Sequence, residues 1–333
     1  MAEWLYERGI GEDRAALVVD DSIVEAHIER TGASVRAGTI ALARLTRILI
    51  PARRGIATLA DGEEILLEPL PPKLSEGREL LVEILRGLIP ESGRAKLAKA
   101  RPAAADAVPT PGPALRERLA GSGHPVRELL PYDPDLLERA GWGELLEEAQ
   151  LGEIAFAGGG LRLSLTPAMA LFDVDGTLAP EQLAIAGARA AGRAIRRFGL
   201  AGSIGIDLPT IGGKAERQAA ATALDAEVPQ PFERTAVNGF GFLQLVRRRT
   251  HAALPELLQG DPVLAAALSL LRQAERAPGH GARTLSAAAS VIAVIESHPE
   301  WVAELARRIG ASVSLRAAPG LAISAGHVSS EHP

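Results

Sequence analysis

The sequence predicts a multidomain α+β protein with a small β-barrel near its N-terminus. Three observations carry this. The chain has 333 residues, enough for two or three domains. Residues 1–88 break into short apolar runs closed by Gly, Asp and Pro turn signals, the pattern of strands. From 114 onward, runs of helical period alternate with further strand-like runs. Hydrophobic residues at 47% and charged residues at 23% suit a folded globular chain.

The elements follow in order. EWLYERG, RAALVVDD and SIVEAHIER, within 1–34, read as strands. TIALARLTRILI, RRGIATLAD, EEILLEPL and RELLVEILR, within 35–88, give several short strands in a small space, as in an OB-type barrel. Residues 91–113 are rich in Ala, Pro and Gly and read as a linker or irregular arm. Its basic residues Arg94, Lys96, Lys99 and Arg101 suit a solvated loop or an RNA contact. ALRERLAG, VRELL and PDLLERAGWGELLEEAQ, within 114–150, predict helices. GEIAF and LRLSL predict strands joined by the turn Gly158-Gly159-Gly160, and AMALFDVD a third. An Ala- and Arg-rich helix is expected from about 180 to 198, then the strand SIGIDL and the helix KAERQAAATALDAEV. TAVNGFG and FLQLVRRR read as strand, turn, and strand or helix start. Beyond about 255, PVLAAALSLLRQAERA and PEWVAELARRIG predict helices, and ASVSLRAA and LAISAGHV strands.

Composition excludes several functions. The 36 basic and 41 acidic residues give a net charge of −5, so nothing global advertises nucleic-acid binding, although a local basic groove is compatible with it. The absence of cysteine removes disulfides, thiolate nucleophiles, Fe–S clusters and cysteine-ligated zinc. Aromatics are 3%, so platforms for stacking bases are scarce. No apolar run is long enough for a membrane span, and MAEWLYERGIGEDR lacks the features of a signal peptide. A cytoplasmic location is the expectation. The seven His show no metal-ligand spacing, so no zinc is expected. His251, His280 and His327 read as surface or loop residues, and Trp142 as packing.

The stretch most able to carry chemistry is ALFDVDGT, 170–177. Alternate residues of a strand share a face, so Asp173 and Asp175 point the same way. A crossover helix would bring Asp207, at the end of SIGIDL, beside Asp173. Carboxylates gathered without cysteine suit a hard ion such as Mg²⁺, which can hold a phosphodiester and activate water. The same aspartates would also serve as strand-end caps. FDVDGTL further approaches the nucleophile motif of haloacid-dehalogenase-type phosphatases, with Asp173 as nucleophile, Asp175 as general acid and Lys214 as the basic partner. Against it, 172 residues precede the motif, and Gly260-Asp261 does not continue as that family's acidic loop.

FAGGGLRLSLTPAMALFDVDGT resembles a segment of the ribonuclease E/G family, in which a Gly-Gly turn, a strand, Thr-Glu-Ala and Ile-Asp-Val-Asn share the order and spacing. FGLAGSIGIDLPTI and NGFGFLQLVRRR resemble two later segments of that family, and the likeness is colinear over nearly the whole chain. It implies a ribonuclease-H-like body at 1–34 and 114–167, an inserted OB-type barrel at 35–88 and a linker or sensor remnant at 89–113. A DNase-I-like catalytic unit would follow at 168–250 and a small C-terminal α/β domain at 251–333. The activity implied is endonucleolytic cleavage of single-stranded RNA to leave 5′-phosphates. Asp173 and Asp207 would hold Mg²⁺ (or Mn²⁺), with Asp175 supporting. Arg44, Arg47, Arg53 and Arg54 of the barrel, Lys214, and Arg247 with its neighbours Arg248 and Arg249 would contact RNA. The alternative is a non-catalytic RNA-binding member.

Departures from the family shape further expectations. Without cysteine, any homodimer must form without the family's zinc link. The sensor domain has shrunk and Gly239 replaces a sensor arginine, so indifference to the RNA 5′ end is expected. Ala57 and Leu66 stand where the family's barrel carries aromatics; Pro167 and Thr210 replace a Glu and an Asp near the catalytic pair.

Overall fold

A computed structural model describes residues 2–32, 34–91, 93 and 95–332, so Arg94 lies outside the described residues. The chain opens with an antiparallel meander of β1 (Glu3–Arg8), β2 (Glu12–Val19) and β3 (Ser22–Arg30). Five strands follow: β4 (Ile40–Ile50), β5 (Arg54–Leu59), β6 (Glu64–Leu67), β7 (Glu79–Arg86) and β8 (Ala98–Pro102). They close into a barrel in the order β4-β5-β6-β8-β7, with β8 parallel to β6 and antiparallel to β7. Leu45, Ile65, Leu67, Val82 and Ile84 fill it.

The barrel therefore extends beyond 88, and the expected linker supplies its closing strand. The reason is an alternation hidden in an Ala-rich segment. Ala98 and Ala100 point inward and are fully buried, while Lys99 and Arg101 point outward to Glu68 and Glu83.

After α1 (Leu115–Ala120) the chain returns to the first sheet as β9 (Val126–Leu129), parallel to β1. The sheet order is β3-β2-β1-β9. VRELL was expected to be helical; it is four residues of strand, because the open edge of β1 offers backbone partners that outweigh a short helical propensity. Next come α2 (Leu136–Arg139) and α3 (Trp142–Leu151), with Trp142 buried.

A six-stranded mixed sheet is built from β10 (Glu153–Phe156), β11 (Gly159–Leu165), β12 (Ala170–Gly176), β13 (Gly202–Asp207), β14 (Phe232–Arg234) and β15 (Phe242–Arg247), in the order β10-β11-β12-β13-β15-β14. A boundary at 168 would cut through it, since β10 and β11 belong to the same sheet as β12. TAVNGFG, expected as strand and turn, is wholly the loop between β14 and β15.

Between β12 and β13 runs α4 (Pro180–Arg197), and between β13 and β14 runs α5 (Lys214–Asp225). The small residues Ala184, Ala188 and Ala191 let α4 lie close between two sheets. One core joins them to Phe172, Val174, Ile204 and Ile206 on one side and to Ala16, Ile23 and Ala26 on the other.

The C-terminal unit contains α6 (Leu254–Gly260), α7 (Pro262–Arg276), β16 (His280–Ala287), α8 (Ala289–Glu296), α9 (Pro299–Ile309), β17 (Val313–Ala317) and β18 (His327–His332), with sheet order β17-β16-β18. LAISAG, expected to open the last strand, precedes it as turn. A buried charge cluster fastens this unit to the first sheet. Arg14 bonds Glu12 (2.9 Å) and Glu7 (3.0 Å), and Arg272 and Arg276 of α7 also pair with Glu7. Burial alone would raise the Glu7 carboxyl; Arg272, Arg14 and Arg276 together override it and hold it down at about 2. Among the described residues, no helix is long and apolar enough to cross a membrane.

Candidate active site

The six-stranded sheet has one face on α4 and one open face. In β12, Phe172 and Val174 point to the core, so Asp173 and Asp175 point out and are exposed. In β13, Ile204 and Ile206 are buried and Asp207 is exposed. Because α4 makes a parallel crossover, Asp173 and Asp207 are register partners on neighbouring strands. Neighbouring strands lie about 4.8 Å apart. Among the described residues, neither side chain has a hydrogen-bond or ion-pair partner.

Cross-strand register extends the pair into a row. Glu153 faces Arg162, Arg162 faces Asp173, Asp173 faces Asp207, and Asp207 faces Phe242. Arg162 is exposed and, among the described residues, unpaired. Arg162, Asp173 and Asp175 border a groove of about 350 Å³ floored by Gly159 and Gly160. Arg162 escaped the sequence reading, although counting back across the β11–β12 hairpin would have set it opposite Asp173.

Phe242 also escaped it. Its ring leans over Gly205: a Cβ there would lie 2.7 Å from Phe242 Cζ and 3.0 Å from Leu171 Cδ1. Beside it, Gln244 donates from Nε2 to Ser203 Oγ (2.8 Å). The preceding loop is held by Asn238, whose Oδ1 accepts from the backbone N–H groups of Phe240 (2.9 Å) and Phe242 (3.0 Å). It turns at Gly241, whose φ of 92° suits glycine and where a Cβ would meet Leu208 O at 2.2 Å. This leaves Phe240 83% exposed, making it an aromatic open to a ligand near Asp207.

The other expected residues are dispersed. Lys214 is exposed at the start of α5, beyond the loop that leaves Asp207. Arg247 sits at the opposite end of β15, opposite Gly202, about 17 Å of strand from Asp207. Its guanidinium donates to Leu200 O (2.9 Å), and burial lowers its pKa. Arg249 is likewise inward, paired with Glu256, with burial lowering it to about 10. Both are thus engaged within the protein, away from the aspartate pair.

On the barrel, Arg44 pairs with Glu79 (2.7 Å) and Arg54 with Glu68 (2.9 Å). Arg47 and Arg53 are exposed and, among the described residues, unpaired. Lys73 and Arg78, not singled out from sequence, join Arg44 around a shallow groove. Ala57 is buried inside the barrel, so it is no surface position for an aromatic; Leu66 is half-buried. Lys96 pairs with Glu91 and donates to Pro167 O (2.8 Å).

Three smaller expectations are also placed. Asp261 caps α7 by accepting from Leu264 N (3.0 Å), which engages the one Gly-Asp of the phosphatase reading away from the aspartate pair. His280 and His327 are exposed, as expected. His251 is instead half-buried and packed edge-on against His27, with centroids 5.2 Å apart. Burial, then His27 and the nearby arginines, push its imidazole down to about 3.

Among the described residues, no three His, Cys, Asp or Glu side chains cluster as a metal cage. Mg²⁺ needs none: it usually keeps several waters and takes one or two carboxylates plus substrate phosphates. The exposed pair Asp173 and Asp207 fits that donor set, with Asp175 one step along the same face. No protein-family model matches this chain, and no curated protein matches it either.

Proposed function

We propose that this chain is a Mg²⁺-dependent endoribonuclease that cuts single-stranded RNA to leave 5′-phosphate ends, whatever the state of the substrate's 5′ end. The observation that carries the reading is the register pairing of Asp173 with Asp207 on an exposed sheet face. The resemblance to the ribonuclease E/G family expects those two residues side by side. Further support comes from the barrel order β4-β5-β6-β8-β7, which suits an OB-type module, and from β3-β2-β1-β9, with its parallel last pair, which suits a ribonuclease-H-like body.

Asp173 and Asp207 would hold the ion, and Asp175 would add negative charge beside it. When bound, Mg²⁺ supplies Lewis-acid charge at the phosphodiester and makes water a stronger nucleophile. Arg162, across the strand from Asp173, is positioned to take an oxygen of a neighbouring phosphate and so fix the strand's path. Phe240 and Phe242 lie on the other side of the pair. The bond broken is that between phosphorus and the 3′ oxygen, which leaves as a hydroxyl. Indifference to the 5′ end follows from the use of 98–102 as a barrel strand and from the open space around Gly239, where the family carries an arginine.

The test is product chemistry on matched RNAs bearing 5′-hydroxyl or 5′-monophosphate ends. Internal cuts leaving 5′-phosphates at equal rates on both are expected. No cutting with RNA binding intact would favour the non-catalytic alternative, and phosphate release from small monoesters would favour a phosphatase.

A further inference from the structure

The Phe242 ring lies beside the aspartate pair on a seat that only glycine provides. Any side chain at Gly205 would stand where Phe242 and Leu171 meet. These two residues form an apolar platform one strand step, roughly 7 Å, from the carboxylates. The platform has a polar edge. Gln244, the register partner of Gly205, gives one amide hydrogen to Ser203. Its Oε1, its second amide hydrogen and the Ser203 hydroxyl hydrogen are left for a ligand.

An aromatic face with adjacent amide and hydroxyl groups is how proteins hold an unpaired nucleobase: stacking supplies affinity and the polar groups address the base edge. The surroundings reinforce this. Between Tyr6 and Tyr132 the sequence has no aromatic residue, so the whole barrel lacks a stacking side chain. Phe240 and Phe242 stand at the aspartate end of the sheet instead.

We propose that Phe242, seated on Gly205 against Leu171 and edged by Gln244 and Ser203, is a nucleobase subsite that holds the base beside the cleaved phosphodiester. The proposal rests on the reading that single-stranded RNA is the ligand of this face. It makes Phe242 a binding residue and Gly205 the positioning residue that admits its ring.

The probe is a five-nucleotide oligouridine with 2-aminopurine at its centre, titrated in Ca²⁺ so that binding is read without turnover. Stacking quenches 2-aminopurine fluorescence. The wild-type chain is expected to quench it. Phe242→Leu is expected to bind roughly five- to hundredfold more weakly with the quench lost, the usual cost of one base–aromatic contact. Gly205→Ala is expected to weaken the quench by displacing the ring, and Phe242→Tyr to retain it. Thermal melts of each variant separate misfolding from loss of the subsite. An unchanged quench in folded Phe242→Leu overturns the proposal. Quenching that depends on Phe242, in a protein that never cuts RNA in Mg²⁺, sustains the subsite and overturns the nuclease reading alone.

Discussion

The barrel and the six-stranded sheet treat their charges in opposite ways. Between 40 and 102 there are eleven basic and eight acidic residues, yet many of the cations already have partners: Arg44 with Glu79, Arg54 and Lys99 with Glu68, Arg101 with Glu83. The open face of the sheet carries fewer charges, but Asp173, Asp207 and Arg162 have no partner among the described residues. Aromatic side chains follow the same division. A surface whose charges are neutralised internally is suited to support; one that leaves like charges adjacent and bare is suited to a ligand. On the proposed function the sheet would carry the chemistry and the barrel would add salt-sensitive grip.

Removing one aspartate should have the largest effect. Asp173→Ala should lower Mg²⁺-dependent cleavage on the order of a thousandfold, as expected for losing a metal ligand worth several kcal/mol of transition-state stabilisation. RNA binding by the barrel should persist, as gel shifts would measure. If Asp173→Ala cuts normally, the contrast between the regions fails.

Outside both regions, the buried cluster around Glu7 joins the first sheet to α7. Glu7→Gln leaves Arg14, Arg272 and Arg276 short of a counter-charge and should cost about 3–5 kcal/mol in denaturant unfolding. The pH dependence has a definite sign. Glu7 is held at about 2, below its ordinary 4.5. Its contribution is full above about pH 4.5 and is lost as pH falls toward 2. His251 acts in the same direction, since a half-buried imidazole held at about 3 opposes protonation as pH falls below 6.5. The wild type should therefore lose stability on acidification, and Glu7→Gln should lose less across the lower window.

A smaller effect is expected at Arg162. Arg162→Ala should raise KM about tenfold and reduce the salt slope of binding by about 0.7, the loss of one phosphate contact to a single strand. An unchanged slope would leave this arginine as a solvated neighbour of Asp173.

The smallest effect should have the opposite sign. Glu68→Gln frees Arg54 and Lys99 and should tighten RNA binding a few-fold while steepening its salt dependence. Weaker binding would mean that these cations are held in place for RNA by Glu68 rather than withheld from it.

Much of the site was legible because it follows strand periodicity. FDVDG alternates buried and exposed residues, and a crossover helix between two strands aligns their ends, so Asp173 meeting Asp207 could be read from spacing. What failed depended on partners remote in sequence. Lys99 and Arg101 look like linker charge until β8 is seen closing the barrel. Arg247 opens a basic run, but strand direction carries it to the far end of the sheet, where Leu200 O receives it. Phe242 needs Gly205, thirty-seven residues earlier, to lie down beside the pair, and neither residue signals this alone.

The most direct test of the account is cleavage of a labelled single-stranded RNA by the wild type and by Asp207→Asn, in Mg²⁺ and in EDTA, with binding measured alongside. Internal cutting is expected only from the wild type in Mg²⁺, with RNA still bound by the variant. Equal cutting by Asp207→Asn, or cutting that persists in EDTA, would contradict it.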